Sequence, residues 1–286
     1  MLIITFRCRF LISQLVCCVG IFLGSFGWVH AQTASTTPAD KITISEIGTG
    51  FSINETGHLL TANHIIQNAG TVVVFAPGDT KGQRAKVIKI NREQDLALIQ
   101  INQKTKAIPI LNWQSIPNGL EIFAFGYPNP SMQGRELKIT SGLINSLEGL
   151  PGKPGLFQFS APIQQGNSGG PVISADSGVV GLINGKLDNK KNPNAMETLQ
   201  NVNFAVRSLE LESFLKDAAV SYTKRDLNLS NYKKSHEIFS ESQASVYTVV
   251  AIRGDVNTKS QPADNIINLL GRLSSNQKPK LNGAFK

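Results

Sequence analysis

The sequence has very little cysteine, and all of it lies close to the N-terminus. The three cysteines are Cys8, Cys17 and Cys18. The rest of the chain therefore has no disulfide bond, no thiolate nucleophile and no cysteine-based metal site. Its fold must be stabilised by a hydrophobic core, and a hydrophobic content of 41% supplies enough apolar side chains for one.

Aromatic residues and dense basic segments are also scarce. Aromatics make up 7% of the chain, and no run of lysine and arginine interleaved with aromatics accompanies the net charge of +8. We interpret this charge as a solvated basic surface and predict no nucleic-acid partner. The many glycines, 25 in all, favour short strands joined by tight turns.

A long apolar run occurs at the N-terminus. Arg7 and Arg9 precede it, and it ends close to Ala31. This pattern is typical of a signal peptide, here residues 1–31, followed by a linker at 32–40. A retained membrane anchor is the alternative, because the run is nearly long enough to span a bilayer. Cleavage predicts a periplasmic or secreted protein with no stable membrane span.

Short apolar segments separated by Gly and Pro clusters predict about twelve strands. The first six are 41–47, 50–53, 58–62, 71–75, 85–90 and 96–101. The second six are 121–125, 138–146, 156–160, 171–174, 178–183 and 202–206. We predict an all-β fold of two packed six-stranded antiparallel β-barrels, about 41–118 and 119–207. A closing helix follows at 208–219, and 220–286 is a short α/β or disordered tail of unknown role.

The run Gly166-Asn167-Ser168-Gly169-Gly170-Pro171 indicates a nucleophilic serine. Such a serine needs backbone N–H donors beside it to hold an oxyanion, and glycine allows the sharp turn that presents them. We predict Ser168 as the nucleophile, and an oxyanion hole formed by Gly166, Asn167 and Ser168. The mechanism requires no metal and no cofactor.

A histidine follows an apolar strand in the run Leu59-Leu60-Thr61-Ala62-Asn63-His64. Serine is a poor nucleophile at neutral pH and needs a base that titrates near neutrality. The other three histidines are weaker candidates. His30 belongs to the predicted signal peptide, and His58 and His236 have polar, turn-like neighbours. We predict His64 as the general base.

Asp95 stands directly before the apolar segment Leu96-Ala97-Leu98-Ile99. A carboxylate there can accept the imidazole proton, fix the tautomer and stabilise the imidazolium. The chain order His64, Asp95, Ser168 differs from the subtilisin and α/β-hydrolase orders. The first two residues fall in the first predicted barrel and the third in the second, so the site lies between the barrels.

These motifs resemble the trypsin-like peptidase domain of bacterial HtrA-type (Deg-type) serine proteases, over Gly48–Leu215. Further matching segments are Gly48-Thr49-Gly50-Phe51, Phe125-Gly126-Tyr127-Pro128, Thr140-Ser141-Gly142 and Asn203-Phe204-Ala205-Val206. The resemblance implies a chymotrypsin-like double barrel over 41–219 and hydrolysis of peptide bonds in polypeptide substrates. The 67 residues that follow are short for the PDZ module common in that family, and Gln243–Ile252 resembles the family's opening strand.

The resemblance also implies a substrate pocket, floored about six residues before the nucleophile. That position is near Pro162, with Ala161 and Ile163 beside it, and we assign Asn184 to the same pocket. None of these residues is acidic, so a lysine or arginine side chain would enter unpaired. We expect cleavage after small or medium apolar residues.

Two other functions remain open from the sequence. One is a protease-like chaperone or binding module with little turnover, although such modules usually lose a triad residue. The other is an esterase with the same triad, although a cleft between barrels suits an extended peptide. An exported serine endopeptidase, with a role in protein quality control, is the first hypothesis. The sequence leaves oligomer formation undecided.

Overall fold

Short β-strands form most of the chain that the structure describes. This computed structural model describes residues 43–79, 81–129, 133–186 and 201–253. The strands are β1 (Thr43–Ser52), β2 (His58–Ala62), β3 (Thr71–Phe75), β4 (Gln83–Asn91), β5 (Leu96–Gln100), β6 (Ile110–Leu111), β7 (Glu121–Gly126), β8 (Lys138–Ser146), β9 (Leu156–Phe159), β10 (Pro171–Ser174), β11 (Val179–Lys186), β12 (Asn203–Arg207), β13 (Lys224–Arg225) and β14 (Val246–Arg253). The α-helices are α1 (Asn63–Ile66), α2 (Ser208–Asp217) and α3 (Ser235–Ser242).

The first barrel is closed by β14, the last strand that the structure describes. Its strand order is β1-β14-β3-β4-β5-β2, and all neighbours are antiparallel. β14 lies between β1 and β3, and its register pairs Thr49 with Thr248 and Val73 with Val250. Neighbouring strands pair with β14 on both edges, and its large apolar side chains are buried in two separate clusters.

This arrangement corrects the predicted first barrel, which does not lie within residues 41–118. The segments predicted as its first two strands are one ten-residue strand, β1. Gly48 and Gly50 lie inside this strand, where neighbouring chain approaches closely. A Cβ on Gly48 would lie 2.8 Å from Ile65, and one on Gly50 would lie 3.0 Å from the Leu60 carbonyl. The sixth strand therefore comes from the predicted tail.

The second barrel agrees with the prediction. Its six strands run in the order β10-β7-β8-β9-β12-β11, and pairing between β10 and β11 closes it. All six lie within residues 119–207. The predicted closing helix is α2, which buries Leu211, Phe214 and Leu215. The short strands β6 and β13 extend the sheet beyond β11 in parallel pairs.

The segment after α2 connects the two barrels and is part of the fold. β13 pairs with β6 beside the second barrel, and α3 then buries Ile238 and stacks Phe239 on Phe125, with ring centroids 6.1 Å apart. β14 follows in the first barrel. The predicted domain end at residue 219 is therefore wrong. The predicted disorder at the end of the tail falls beyond Arg253, outside the described residues.

The predicted signal peptide (1–31) and linker (32–40) also lie outside the described residues. Among the helices that the structure describes, none has both the length and the apolar character needed to cross a membrane.

A buried ion pair fastens the connecting segment to the second barrel. Asp176 is buried and accepts hydrogen bonds from the Arg225 guanidinium, the Ser174 hydroxyl and the Asn228 N–H. Burial raises the pKa of Asp176, but these hydrogen bonds outweigh it and hold that pKa below its ordinary value. The carboxylate is therefore ionised and fully paired at neutral pH.

Removing the arginine is expected to destabilise the protein. Arg225→Met leaves Asp176 buried without its cation, which should cost about 3 kcal/mol of unfolding free energy in a urea titration at pH 7. Because the folded pKa is depressed, the pair stabilises above about pH 4 and this stabilisation is lost in acid. Glu136→Gln, which breaks an exposed pair with Lys138, is the matched control and should change stability by less than about 1 kcal/mol. Equal stability of the two variants would contradict this role.

Candidate active site

His64 lies two residues after the end of the buried strand β2. β2 runs directly into the short helix α1, and the Asn63 N–H donates to the Asp95 carbonyl at 3.0 Å. The other members of α1, Asn63, Ile65 and Ile66, are buried, whereas the His64 side chain is 38% exposed. These buried residues therefore fix α1 in the core, while the imidazole of His64 stays accessible.

Asp95 holds His64 through two hydrogen bonds. Its Oδ1 accepts from the His64 N–H at 2.7 Å, and its Oδ2 lies 2.6 Å from Nδ1 of the imidazole. Asp95 lies in the turn between β4 and β5 with φ of 56°, a left-handed conformation that aspartate tolerates better than most residues. Because a carboxylate can only accept, the tautomer of a neutral imidazole that fits this contact has its proton on Nδ1 and its lone pair on Nε2.

Asn184 links Asp95 to Ser168. Its side-chain Nδ2 donates to Asp95 Oδ2 at 2.9 Å, and its backbone carbonyl accepts from Ser168 Oγ at 3.5 Å. Asn184 was predicted to line the substrate pocket, whereas its side chain donates to the Asp95 carboxylate. Asn184 lies on β11, so a residue of the second barrel donates a hydrogen bond to Asp95, which belongs to the first barrel.

Ser168 lies in a tight turn that leads into β10. Gly166 and Gly169, on either side of it, have φ of 101° and 84°. A Cβ on Gly166 would collide with the Tyr127 carbonyl, and one on Gly169 with the Thr49 carbonyl. The turn therefore requires glycine at both positions, for conformation and for space.

Two backbone donors are free beside the nucleophile. Within the described parts of the chain, the N–H groups of Gly166 and Ser168 make no hydrogen bond. The Asn167 N–H donates to the Gln164 carbonyl at 3.0 Å, and its side chain is only 2% exposed. Of the three predicted oxyanion-hole residues, Asn167 is thus not a free donor, because the turn itself uses its N–H.

The predicted substrate pocket is only partly accessible. Ala161 and Ile163 are 0% and 3% exposed and pack in the core of the second barrel. Pro162 is exposed between them, and its carbonyl accepts from the Thr140 hydroxyl at 2.8 Å. Counting six residues back from Ser168 identified this segment, but the side chains of Ala161 and Ile163 point into the core and only Pro162 is exposed. The expected cleavage preference stays a prediction.

His64 and Asp95 come from the first barrel, and Ser168 and Asn184 come from the second. The Ser168 hydroxyl faces the Asn184 carbonyl, and no hydrogen bond joins it to His64 in the described structure. Catalytic hydrogen bonds of empty sites are often long and shorten when substrate binds. The described residues include no cluster of three or more histidine or acidic side chains that could hold a metal ion.

A comparison with protein families identifies this arrangement. The family model of the trypsin-like peptidase domain matches residues 48–182, which include His64, Asp95 and Ser168. Over these residues the chain is similar to a trypsin-like peptidase domain. The match ends inside β11, so it does not include β14, although that strand completes the first barrel of the peptidase domain.

Proteins similar to this chain occur in bacteria. An uncharacterised protein of Sinorhizobium fredii, y4bJ, is 34% identical over 66% of this chain and 30% of its own length. A probable periplasmic serine endoprotease, DegP-like, of Pseudomonas fluorescens is 32% identical over 48% of this chain and 28% of its own. The chain thus spans less than a third of either relative.

A solved structure has the same fold. The crystal structure of the serine endoprotease from Yersinia pestis is similar to the peptidase domain with a TM-score of 0.50 and 24% identity. The similarity covers 62% of this chain and 58% of that one. It supports the chymotrypsin-like double barrel predicted from the sequence.

Proposed function

We propose that this chain is an exported serine endopeptidase that hydrolyses peptide bonds in polypeptides through an acyl-enzyme on Ser168. The observation that carries the proposal is the doubly hydrogen-bonded pair of His64 and Asp95, joined through Asn184 to a serine in a glycine-bounded turn. A histidine oriented by a carboxylate is the base that activates a serine hydroxyl without a metal or cofactor.

The acylation step follows from the roles of these groups. His64 Nε2 accepts the hydroxyl proton of Ser168 as Oγ attacks the scissile carbonyl carbon. Asp95 stabilises the resulting imidazolium and keeps its orientation. The carbonyl oxygen becomes an oxyanion, which the free N–H groups of Gly166 and Ser168 hold. His64 then returns the proton to the leaving amine, the C–N bond breaks, and the acyl group stays on Oγ.

Deacylation repeats the same proton transfers with water. His64 takes a proton from water, and the hydroxide attacks the acyl carbon. The second oxyanion is held by the same two N–H groups. Its collapse breaks the ester bond, His64 returns the proton to Oγ, and the carboxylic acid product leaves. No other co-reactant enters the cycle.

We also propose that the protein is exported and that it acts in protein quality control. Export is supported by the basic and apolar pattern of residues 1–31 and by the relative described as periplasmic. Quality control is supported by the resemblance to HtrA-type proteases.

Casein hydrolysis by the purified chain from Gln32 onward tests the proposed activity. We expect hydrolysis that is stopped by a serine-directed phosphonate inhibitor and is unchanged by EDTA. Suppression of protein aggregation without any hydrolysis would favour the chaperone alternative. Hydrolysis of simple esters, with none of casein, would favour an esterase.

A further inference from the structure

Thr49 lies where the first barrel meets the nucleophile turn. It is fully buried on β1, between Gly48 and Gly50. A Cβ on Gly48 would lie 3.0 Å from the Ser168 carbonyl oxygen, so β1 passes directly against the turn. The mechanism described above gives Thr49 no role.

All the polar atoms of Thr49 are hydrogen-bonded, and two of them hold the turn. Its N–H donates to the Ser168 carbonyl at 2.9 Å, and its hydroxyl donates to the Gly166 carbonyl at 2.7 Å. The hydroxyl also accepts from the Tyr127 N–H at 3.1 Å. Two peptide groups of the turn, those that carry the Gly166 and Ser168 carbonyls, are thus fixed by one residue of the other barrel.

Fixing these two carbonyls constrains the chain on both sides of the Ser168 N–H. A peptide group is planar, so holding the Gly166 and Ser168 carbonyls fixes the two planes that also carry the Asn167 and Gly169 N–H groups. The peptide group that carries the Ser168 N–H lies between the two that Thr49 holds. Gly166, at φ of 101°, has the conformational freedom of glycine and is the position where an unrestrained turn would rotate most easily.

Thr49 also connects the turn to the strand that leads to His64. The Thr61 hydroxyl, on β2, donates to the Thr49 carbonyl at 2.7 Å. Thr61 lies three residues before His64, at the end of the same strand. A short chain of hydrogen bonds therefore runs from the strand of the general base, through Thr49, to the carbonyl of the nucleophile.

We infer that Thr49 is a positioning residue for catalysis, which holds the Gly166–Ser168 turn so that its free N–H groups receive the oxyanion. This inference deepens the proposed function and rests on it. Thr49 does not touch the substrate. It acts through the Gly166 and Ser168 carbonyls, so it affects the transition state more than substrate binding.

The test is a set of substitutions in the purified protein. Thr49→Val keeps the shape of threonine and its backbone N–H but removes the hydroxyl. We expect kcat/KM for a peptide substrate to fall about 10- to 100-fold, mainly through kcat, because small displacements in a catalytic site have effects of this size. The affinity for a peptide trifluoromethyl ketone, which forms a tetrahedral adduct, should fall by the same factor. Thr49→Ser should recover most of both losses.

Two controls separate positioning from a general effect on folding. Thr71→Val removes another buried hydroxyl of the first barrel, which accepts from Arg84, and should leave kcat/KM unchanged. If Thr49→Val does not fold, Thr49→Ser and Thr49→Ala form the decisive pair, because these two variants differ only in the hydroxyl. Thermal unfolding of each variant shows whether it is folded.

The outcomes are distinct. Wild-type kcat/KM in folded Thr49→Val, or equal kcat/KM in the serine and alanine variants, would overturn the inference while the proposed function stands. A lower melting temperature with unchanged kcat/KM would make Thr49 a purely structural residue. Absence of serine-dependent hydrolysis in the unsubstituted protein would instead overturn the proposed function and this inference with it.

Discussion

Ser168→Ala and His64→Ala are each expected to lower kcat/KM for casein or peptide hydrolysis by about 10⁴- to 10⁶-fold. Alanine at position 168 leaves no oxygen to attack the carbonyl. Alanine at position 64 leaves the serine hydroxyl without a proton acceptor. Since the two residues act as one unit, the double substitution should be little worse than either single one. The measurement is steady-state hydrolysis by purified protein.

Both variants should remain folded. The Ser168 hydroxyl makes a single hydrogen bond within the described residues, at a length of 3.5 Å, and the His64 side chain is 38% exposed. Neither change opens a large core cavity, so melting temperatures should stay within about 5 °C of the wild type. Ser230→Ala and His236→Ala are the matched controls, because they make the same substitutions at exposed residues outside the proposed triad. We expect both to keep full activity. Persistent hydrolysis in Ser168→Ala would refute the triad.

The second large effect concerns β14. A chain that ends at Ser245 lacks this strand, and we expect it to have no cooperative thermal transition and no proteolytic activity. Five large apolar residues of β14 are 2% exposed or less: Val246, Tyr247, Val249, Val250 and Ile252. Burial of each contributes about 1.5–3 kcal/mol, so together they match the whole net stability of a typical domain, about 5–15 kcal/mol.

Hydrogen bonding adds to this loss. β14 pairs with both β1 and β3, so its removal leaves two facing strand edges unpaired. It also removes the Val246 carbonyl that accepts from the Tyr127 hydroxyl at 3.1 Å, close to the nucleophile turn. Burial raises the pKa of that tyrosine, so its hydroxyl stays protonated and able to donate.

A chain that ends at Arg253 is the control for this truncation. It keeps every strand of the first barrel, so we expect it to unfold cooperatively and to hydrolyse casein. Circular dichroism during heating, together with the casein assay, compares the two chains. A folded and active chain that ends at Ser245 would show that the peptidase domain does not need the C-terminal strand.

The strands of both barrels could be predicted from the sequence because their apolar segments are short and bounded by turn residues. The pairing of the strands is harder to predict, because it depends on contacts between residues that are distant in the sequence. The strand Thr43–Ser52 was predicted as two strands, and six strands were therefore counted before residue 118. That count left no place for β14, although its segment resembled the opening strand of the family.

Each residue of the proposed triad carries its own signal in the sequence, because a buried strand ends shortly before His64, begins after Asp95 or begins after the Ser168 turn. The oxyanion and pocket residues were predicted less well. Whether the Asn167 N–H is free depends on a turn hydrogen bond, and whether Ala161 faces a pocket depends on side-chain direction. Thr49 was noted only as part of a motif. A buried polar residue between two glycines is the signal that could have singled it out.

The central claim is that Ser168 is a nucleophile activated by His64. Reaction of the purified chain with a fluorophosphonate probe, followed by proteolytic digestion and mass spectrometry, tests it most directly. We expect one phosphonyl group, located on Ser168, in the wild type and almost none in His64→Ala over the same time. A phosphonyl group on another residue, or equal labelling of Ser168 in His64→Ala, would contradict the claim.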